Sequence, residues 1–77
     1  MTALSRSEYV GLVVGAVLRR HRRRLDLLQH HIADAMGIDI SGISRFEAGD
    51  TSMTLSQYIT YCEALRMDPS CVLQEAA

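Results

Sequence analysis

The sequence predicts an all-α protein of five helices, and three observations carry that reading. One proline, Pro69, occurs in 77 residues, so nothing breaks a helix before the last segment. Neither strand-like alternation nor an Asn-Gly hairpin signal is present. Apolar residues recur instead at helical spacing, in segments separated by glycines and capping residues. They make up 48 % of the chain, enough for a compact core and against disorder. The length suits one small domain, residues 1–77.

The first helix is predicted from about Ser7 to Arg24, with Ser5 and Glu8 at capping-box spacing ahead of it. Val10, Val13, Val17 and His21 recur at i, i+3, i+7 and i+11, a buried stripe that leaves Tyr9 and Val14 as outer apolar positions. The second helix covers roughly Gln29 to Met36, with Ile32, Ala33 and Met36 inward, and Gly37 supplies a left-handed stop. The third starts after Asp39, a good N-cap, and stops at Gly49. The fourth opens on Thr54 with Gln57 three residues on, a second capping box; its inward face is Leu55, Tyr58 or Ile59, Cys62 and Leu65. The fifth is opened by Asp68 as N-cap and Pro69 at the first helical position, and carries Val72 and Leu73.

Several function classes drop out on composition. Two cysteines, Cys62 and Cys71, are too few for a disulfide framework and read as small hydrophobes of a reducing compartment. The apolar run "YVGLVVGAVL" is about half the length a bilayer requires, and basic residues follow it rather than precede it, so neither a membrane span nor a secretory signal is expected. A cytoplasmic protein is the simplest account. His21, His30 and His31 lack metal-ligand spacing, so no metal and no cofactor is expected. No nucleophile stands beside a plausible base, which argues against an enzyme.

Net charge is −1, but it is polarised: residues 1–46 hold seven Arg against four acids, residues 47–77 one Arg against five. A partner feels the local field, so the basic half remains a candidate nucleic-acid surface. The cluster "RRHRRR" at 19–24 cannot all face one groove, because at 100° per residue its side chains spread around the helix.

The decisive stretch is "GIDISGISRFEAGD", residues 37–50. Helices two and three are joined by only Gly37, Ile38 and Asp39, which describes a helix-turn-helix over about 29–48. Ser41, Gly42 and Ser44 give the second of these helices a bare outer face bearing one long side chain, Arg45. Such a face lets the backbone approach a DNA major groove while one donor reaches the base edges.

From Leu18 to Leu73, about three quarters of the chain, the sequence resembles the lambda-repressor-like helix-turn-helix domains of the Xre/Cro type. The tokens are "LRRHR", "LLQHHIADAMGIDISGISRFEAGD" and "TLSQYITYCEALRMDP". The resemblance implies a five-helix lambda-repressor-like bundle that binds double-stranded DNA, usually as a two-fold dimer. It implies that Gln29 holds a phosphate and that Ile40, Ser41, Ser44 and Arg45 face the DNA. Ile38, Ile43 and Phe46 would be core, and Arg22 and Glu47 would form a structural ion pair. Two departures stand out. Leu28 replaces the polar cap common before the glutamine, and Asp50 lies in a loop where relatives often carry Lys or Pro.

The expected function is a sequence-specific transcriptional regulator, a dimeric repressor of phage, plasmid or restriction-modification controller type, on a pseudo-palindromic operator. Arg45 is read as a base contact rather than a solvated arginine, whereas Ile40 is left between a thymine methyl and packing on helix two. The dimer interface is placed on Val72 and Leu73 beside Cys71, with Tyr9 and Val14 on helix one as the other candidate. A second reading is an antitoxin-like protein-interaction module that binds a partner protein through the acidic C-terminal half.

Overall fold

The computed structural model describes residues 3–77, which form five helices: α1 (Arg6–Arg24), α2 (Gln29–Met36), α3 (Ile40–Ala48), α4 (Leu55–Ala64) and α5 (Pro69–Ala76). The capping residues set most starts. Ser5 and Glu8 close a capping box ahead of α1, and Thr54 and Gln57 do the same ahead of α4. Asp68 caps α5, with Pro69 following. The ends of the first four helices share one device. A residue with positive φ (Asp26, Gly37, Gly49, Arg66) turns the chain, and the next residue's N–H returns to a carbonyl five positions back, as Leu27 does to Arg22 and Asp50 to Arg45. Asp26 and Arg66 do this without being glycine, so neither turn carries the glycine stop that marks α2 and α3.

α1 packs against α3 and α5, α2 against α3 and α4, and α4 against α5. Leu18, Ile32, Ile43, Tyr61, Cys62 and Val72 are fully buried between them. This is an all-α, five-helix lambda-repressor-like bundle containing a helix-turn-helix.

The inward face of α1 differs from the stripe read in the sequence. Val14, Val17, Leu18 and Arg22 are buried, whereas Val10 is 47 % exposed. The segment is apolar all round, so periodicity alone could not choose a face. Gly15 chooses it. A Cβ there would overlap the Phe46 carbonyl oxygen and lie 2.9 Å from that of Glu47, so only glycine lets α1 and α3 come this close. Val14, read as outward, is therefore core.

On α4 the buried set is Tyr58, Tyr61, Cys62 and Leu65, while Leu55 is 74 % exposed. Tyr61, which is not on the inward face read in the sequence, is fully buried. Val72, placed at a dimer interface by the sequence reading, is fully buried in the single chain and cannot serve there: it fills the space between α5 and the core. Leu73, one residue on, is 49 % exposed. Cys62 is buried as expected for a small hydrophobe, but Cys71 is exposed.

Candidate nucleic-acid interface

The α2–turn–α3 unit is fixed at both ends of α3. Asp39 caps its start, accepting from Gly42 N–H at 3.1 Å and from the Ser41 hydroxyl at 3.0 Å. These bonds hold the Asp39 carboxyl below the usual range, the Gly42 amide contributing most. Gly49, at φ 77°, ends the helix.

Each bare position of α3 has its own reason. A Cβ on Gly42 would press to 3.0 Å from Ile38 Cδ1, so this glycine leaves room for the turn's apolar side chain. Ser41 spends its hydroxyl hydrogen on the Asp39 cap. Ile40, Ser44 and Arg45 complete the exposed face, Ile40 at 49 %. Arg45 makes no ion pair among the described residues.

Behind this face lies the most elaborate polar structure of the protein. Glu47 on α3 is buried, and four donors reach its carboxylate. Arg22 Nε and NH2 approach its two oxygens at 2.7 and 3.0 Å, in bidentate geometry. Gln29 Nε2 donates to Oε1 at 3.1 Å, and the Tyr61 hydroxyl donates to Oε2. Arg22 NH1 also reaches the Leu27 carbonyl at 2.8 Å, beyond the end of α1. No side-chain polar atom is left buried without a partner among the described residues. Burial pushes the Glu47 carboxyl up, but the bonds from Arg22, Tyr61 and Gln29 outweigh it and hold the group below the usual glutamate range. The same bond to Glu47 raises Arg22 further, and burial drives the Tyr61 hydroxyl well above ordinary tyrosine. The charged pair is the stable form.

The start of α2 is built differently from the other helix starts. Leu28 has no acceptor to offer, yet half of a capping box is present: His31 Nδ1 accepts the Leu28 N–H at 2.8 Å. The imidazole therefore takes the place of the glutamate or glutamine side chain at the same spacing. Gln29, the first residue of α2, is half-buried against Glu47. Around it, Arg23, Leu28, His30 and Ile40 line one shallow concavity running from the end of α1 to the start of α3.

The remaining arginines of the 19–24 cluster scatter as helical geometry requires. Arg22 points inward, Arg20 lies 3.6 Å from Glu75 on α5, and Arg19, Arg23 and Arg24 are exposed. Among the described residues no group of three or more potential metal ligands comes together.

A helix-turn-helix of this geometry has relatives. The Helix-turn-helix domain family model matches residues 13–72. The chain belongs to that family. Two solved structures of the clp gene regulator ClgR from Corynebacterium glutamicum resemble this helix-turn-helix protein at 25 % identity, with TM-scores of 0.84 and 0.82. Each likeness covers 87 % of this chain, and 71 % and 87 % of the respective ClgR chains. The restriction-modification controller protein C.AhdI from Aeromonas hydrophila is similar at 26 % identity and TM-score 0.74, over 79 % of this chain and 92 % of its own. A search of curated proteins finds no match. The family's helix-turn-helix lies here in α2 and α3, and the buried Arg22–Glu47 pair joins α1 to the end of α3.

Proposed function

We propose that this DNA-binding transcriptional regulator acts as a homodimeric repressor on a pseudo-palindromic operator. The observation that carries the reading is the outer face of α3. Ile40, Ser44 and Arg45 stand exposed on a helix with both ends fixed, beside Gln29 at the start of α2. Arg45, which makes no ion pair among the described residues, reads a base edge, bidentate Arg to guanine being the commonest specific contact. Ile40 meets a thymine methyl. Gln29 and Ser44 hold phosphates, and Ser41 contributes only lone pairs while its hydrogen serves the Asp39 cap.

A single unit reads too few base pairs to choose a site in a genome. Two copies about a dyad would set their α3 helices one DNA turn apart, ~34 Å. Leu73 is the interface residue retained from the sequence reading. It lines one apolar groove with Val10 and Leu55, exposed apolar residues of α1 and α4; Tyr9, the exposed α1 candidate, does not line that groove. Repression would follow from occlusion of a promoter in the cytoplasm, residues 1–77 acting as one DNA-binding domain. The antitoxin-like module is the weaker reading, since the solved structures this chain resembles are a clp gene regulator and a restriction-modification controller protein.

Selection of bound sites from random duplex DNA tests the proposal. The expected product is a two-fold consensus whose affinity falls steeply with salt, as counterion release requires. Affinity no better than for scrambled duplex sinks it. Leu73→Glu, at an exposed position, should leave the fold intact and give a monomer of lowered operator affinity. A folded dimer removes Leu73 from the interface.

A further inference from the structure

The Glu47 carboxylate takes donors from three other helices: Arg22 of α1, Gln29 of α2 and Tyr61 of α4. Three of its four bonds come from Arg22 and Tyr61, which lie in the interior. The fourth comes from Gln29, on the rim of the concavity between α1 and α3. An ionised carboxylate accepts hydrogen bonds and donates none. It can therefore meet a glutamine amide only through the nitrogen. The orientation of the Gln29 amide is thus set by the chemistry of its neighbour, and its side chain is drawn into one rotamer before any ligand arrives. One N–H and the carbonyl oxygen are left for an outside partner. Phosphate oxygens are acceptors, so the remaining N–H is the group that meets them. A free glutamine side chain would have to give up its rotamer freedom on binding; Gln29 has already lost it.

We propose that Glu47 is a positioning residue for DNA binding, fixing through one hydrogen bond the rotamer and amide orientation with which Gln29 meets the phosphate backbone. This role rests on the DNA-binding reading above and adds to it a link between the buried ion pair and the contact surface. Arg22 and Tyr61 hold Glu47 in place, and Glu47 holds Gln29.

A double-mutant cycle on duplex binding separates positioning from a merely structural role. The probe is a labelled duplex carrying the site selected by the wild-type chain, and the proteins are wild type, Glu47→Gln, Gln29→Ala and the double variant. Glu47→Gln should lower affinity about three- to tenfold in the wild-type background, the worth of one hydrogen bond, and not at all in the Gln29→Ala background. An equal loss in both backgrounds overturns the proposal, because Glu47 would then act through the fold alone. If Glu47→Gln does not fold, NMR of the wild type decides. Gln29 side-chain amide protons resolved from the free-glutamine shifts and protected from exchange are expected. Freely averaging amide protons overturn the proposal. A wild-type chain that binds no duplex overturns the DNA reading, and the positioning role with it, even where the amide signature is present.

Discussion

Neighbouring residues of α1 make polar contacts of opposite kinds. Arg22 turns inward to Glu47 on α3, the two side chains being 7 % and 2 % exposed. His21 and Arg20, one and two positions earlier, meet Glu75 on α5, whose side chain is 37 % exposed. Both contacts fasten α1 to a later helix through a glutamate, and both hold that glutamate below the usual carboxylate range. The difference lies in what replaces a lost partner. Water can replace either partner of the Arg20–Glu75 contact, the two side chains being 50 % and 37 % exposed, whereas His21, at 16 %, is only partly open to it. Nothing can solvate Arg22 or Glu47 in place, so the inner seam is intact or it fails. Similar charges on one helix thus have unequal weight, decided by burial and donor count.

The largest expected effect follows from removing half of the inner pair. Glu47→Ala strands the Arg22 guanidinium and leaves Gln29 and Tyr61 without their acceptor, at a cost of roughly 3–5 kcal/mol. Denaturant titration measures it, and an unchanged midpoint would place the two seams on equal footing. Gly15→Ala comes next. The added methyl collides with main-chain carbonyls rather than a movable side chain, so a loss of at least about 1–3 kcal/mol is expected on the same scale. Gly11→Ala, where a Cβ has open space, is its control and should not destabilise.

Acid sharpens the contrast. The folded state holds Glu47 below its unfolded pKa, so the stability linked to that ionisation is fully present above the ordinary carboxylate range and is lost as pH falls through the lower folded value. Thermal melts of the wild type should therefore be flat from neutrality down to that range and fall beneath it, and the fall should persist in Glu75→Gln, which removes the other lowered glutamate. The smallest effect belongs to the outer seam. Glu75→Gln should leave the melting temperature unchanged within error at neutral pH. A drop as large as that of Gly15→Ala would show that α5 is held mainly by this contact rather than by Val72.

The helix boundaries were legible in the sequence because they rest on local chemistry. Ser5, Asp39, Thr54 and Asp68 cap, and Gly37 and Gly49 stop, whatever the remainder of the chain does. Which face of α1 turns inward was not legible. The run from Tyr9 to Leu18 offers apolar residues in every direction, and the choice depends on Gly15 meeting the α3 backbone. Val72 and Leu73 looked equivalent in sequence, although 100° of rotation separates core from surface.

The candidate site was readable as a motif, and Arg22 and Glu47 as a pair through the family resemblance. Their extension to Gln29 and Tyr61 depends on how α2 and α4 meet α3, which no spacing encodes. Tyr61 did leave a trace, an aromatic body with a hydroxyl three residues after another on the buried face, a pattern that suggests a polar tip reaching inward. His31 left less, because a histidine acting as a capping acceptor looks like any exposed histidine until the Leu28 amide is placed beside it.

The convergence of donors on Glu47 bears on how the bundle breathes. Any one of α1, α2 or α4 that swings away leaves a buried carboxylate short of a donor, a penalty felt at once by the helices that stay. Partial opening of these elements is thereby discouraged relative to opening together. Amide hydrogen exchange along α1, α2, α3 and the C-terminal part of α4 should report one common opening free energy. α5 sends no side chain to Glu47 and should exchange by a separate, cheaper fluctuation.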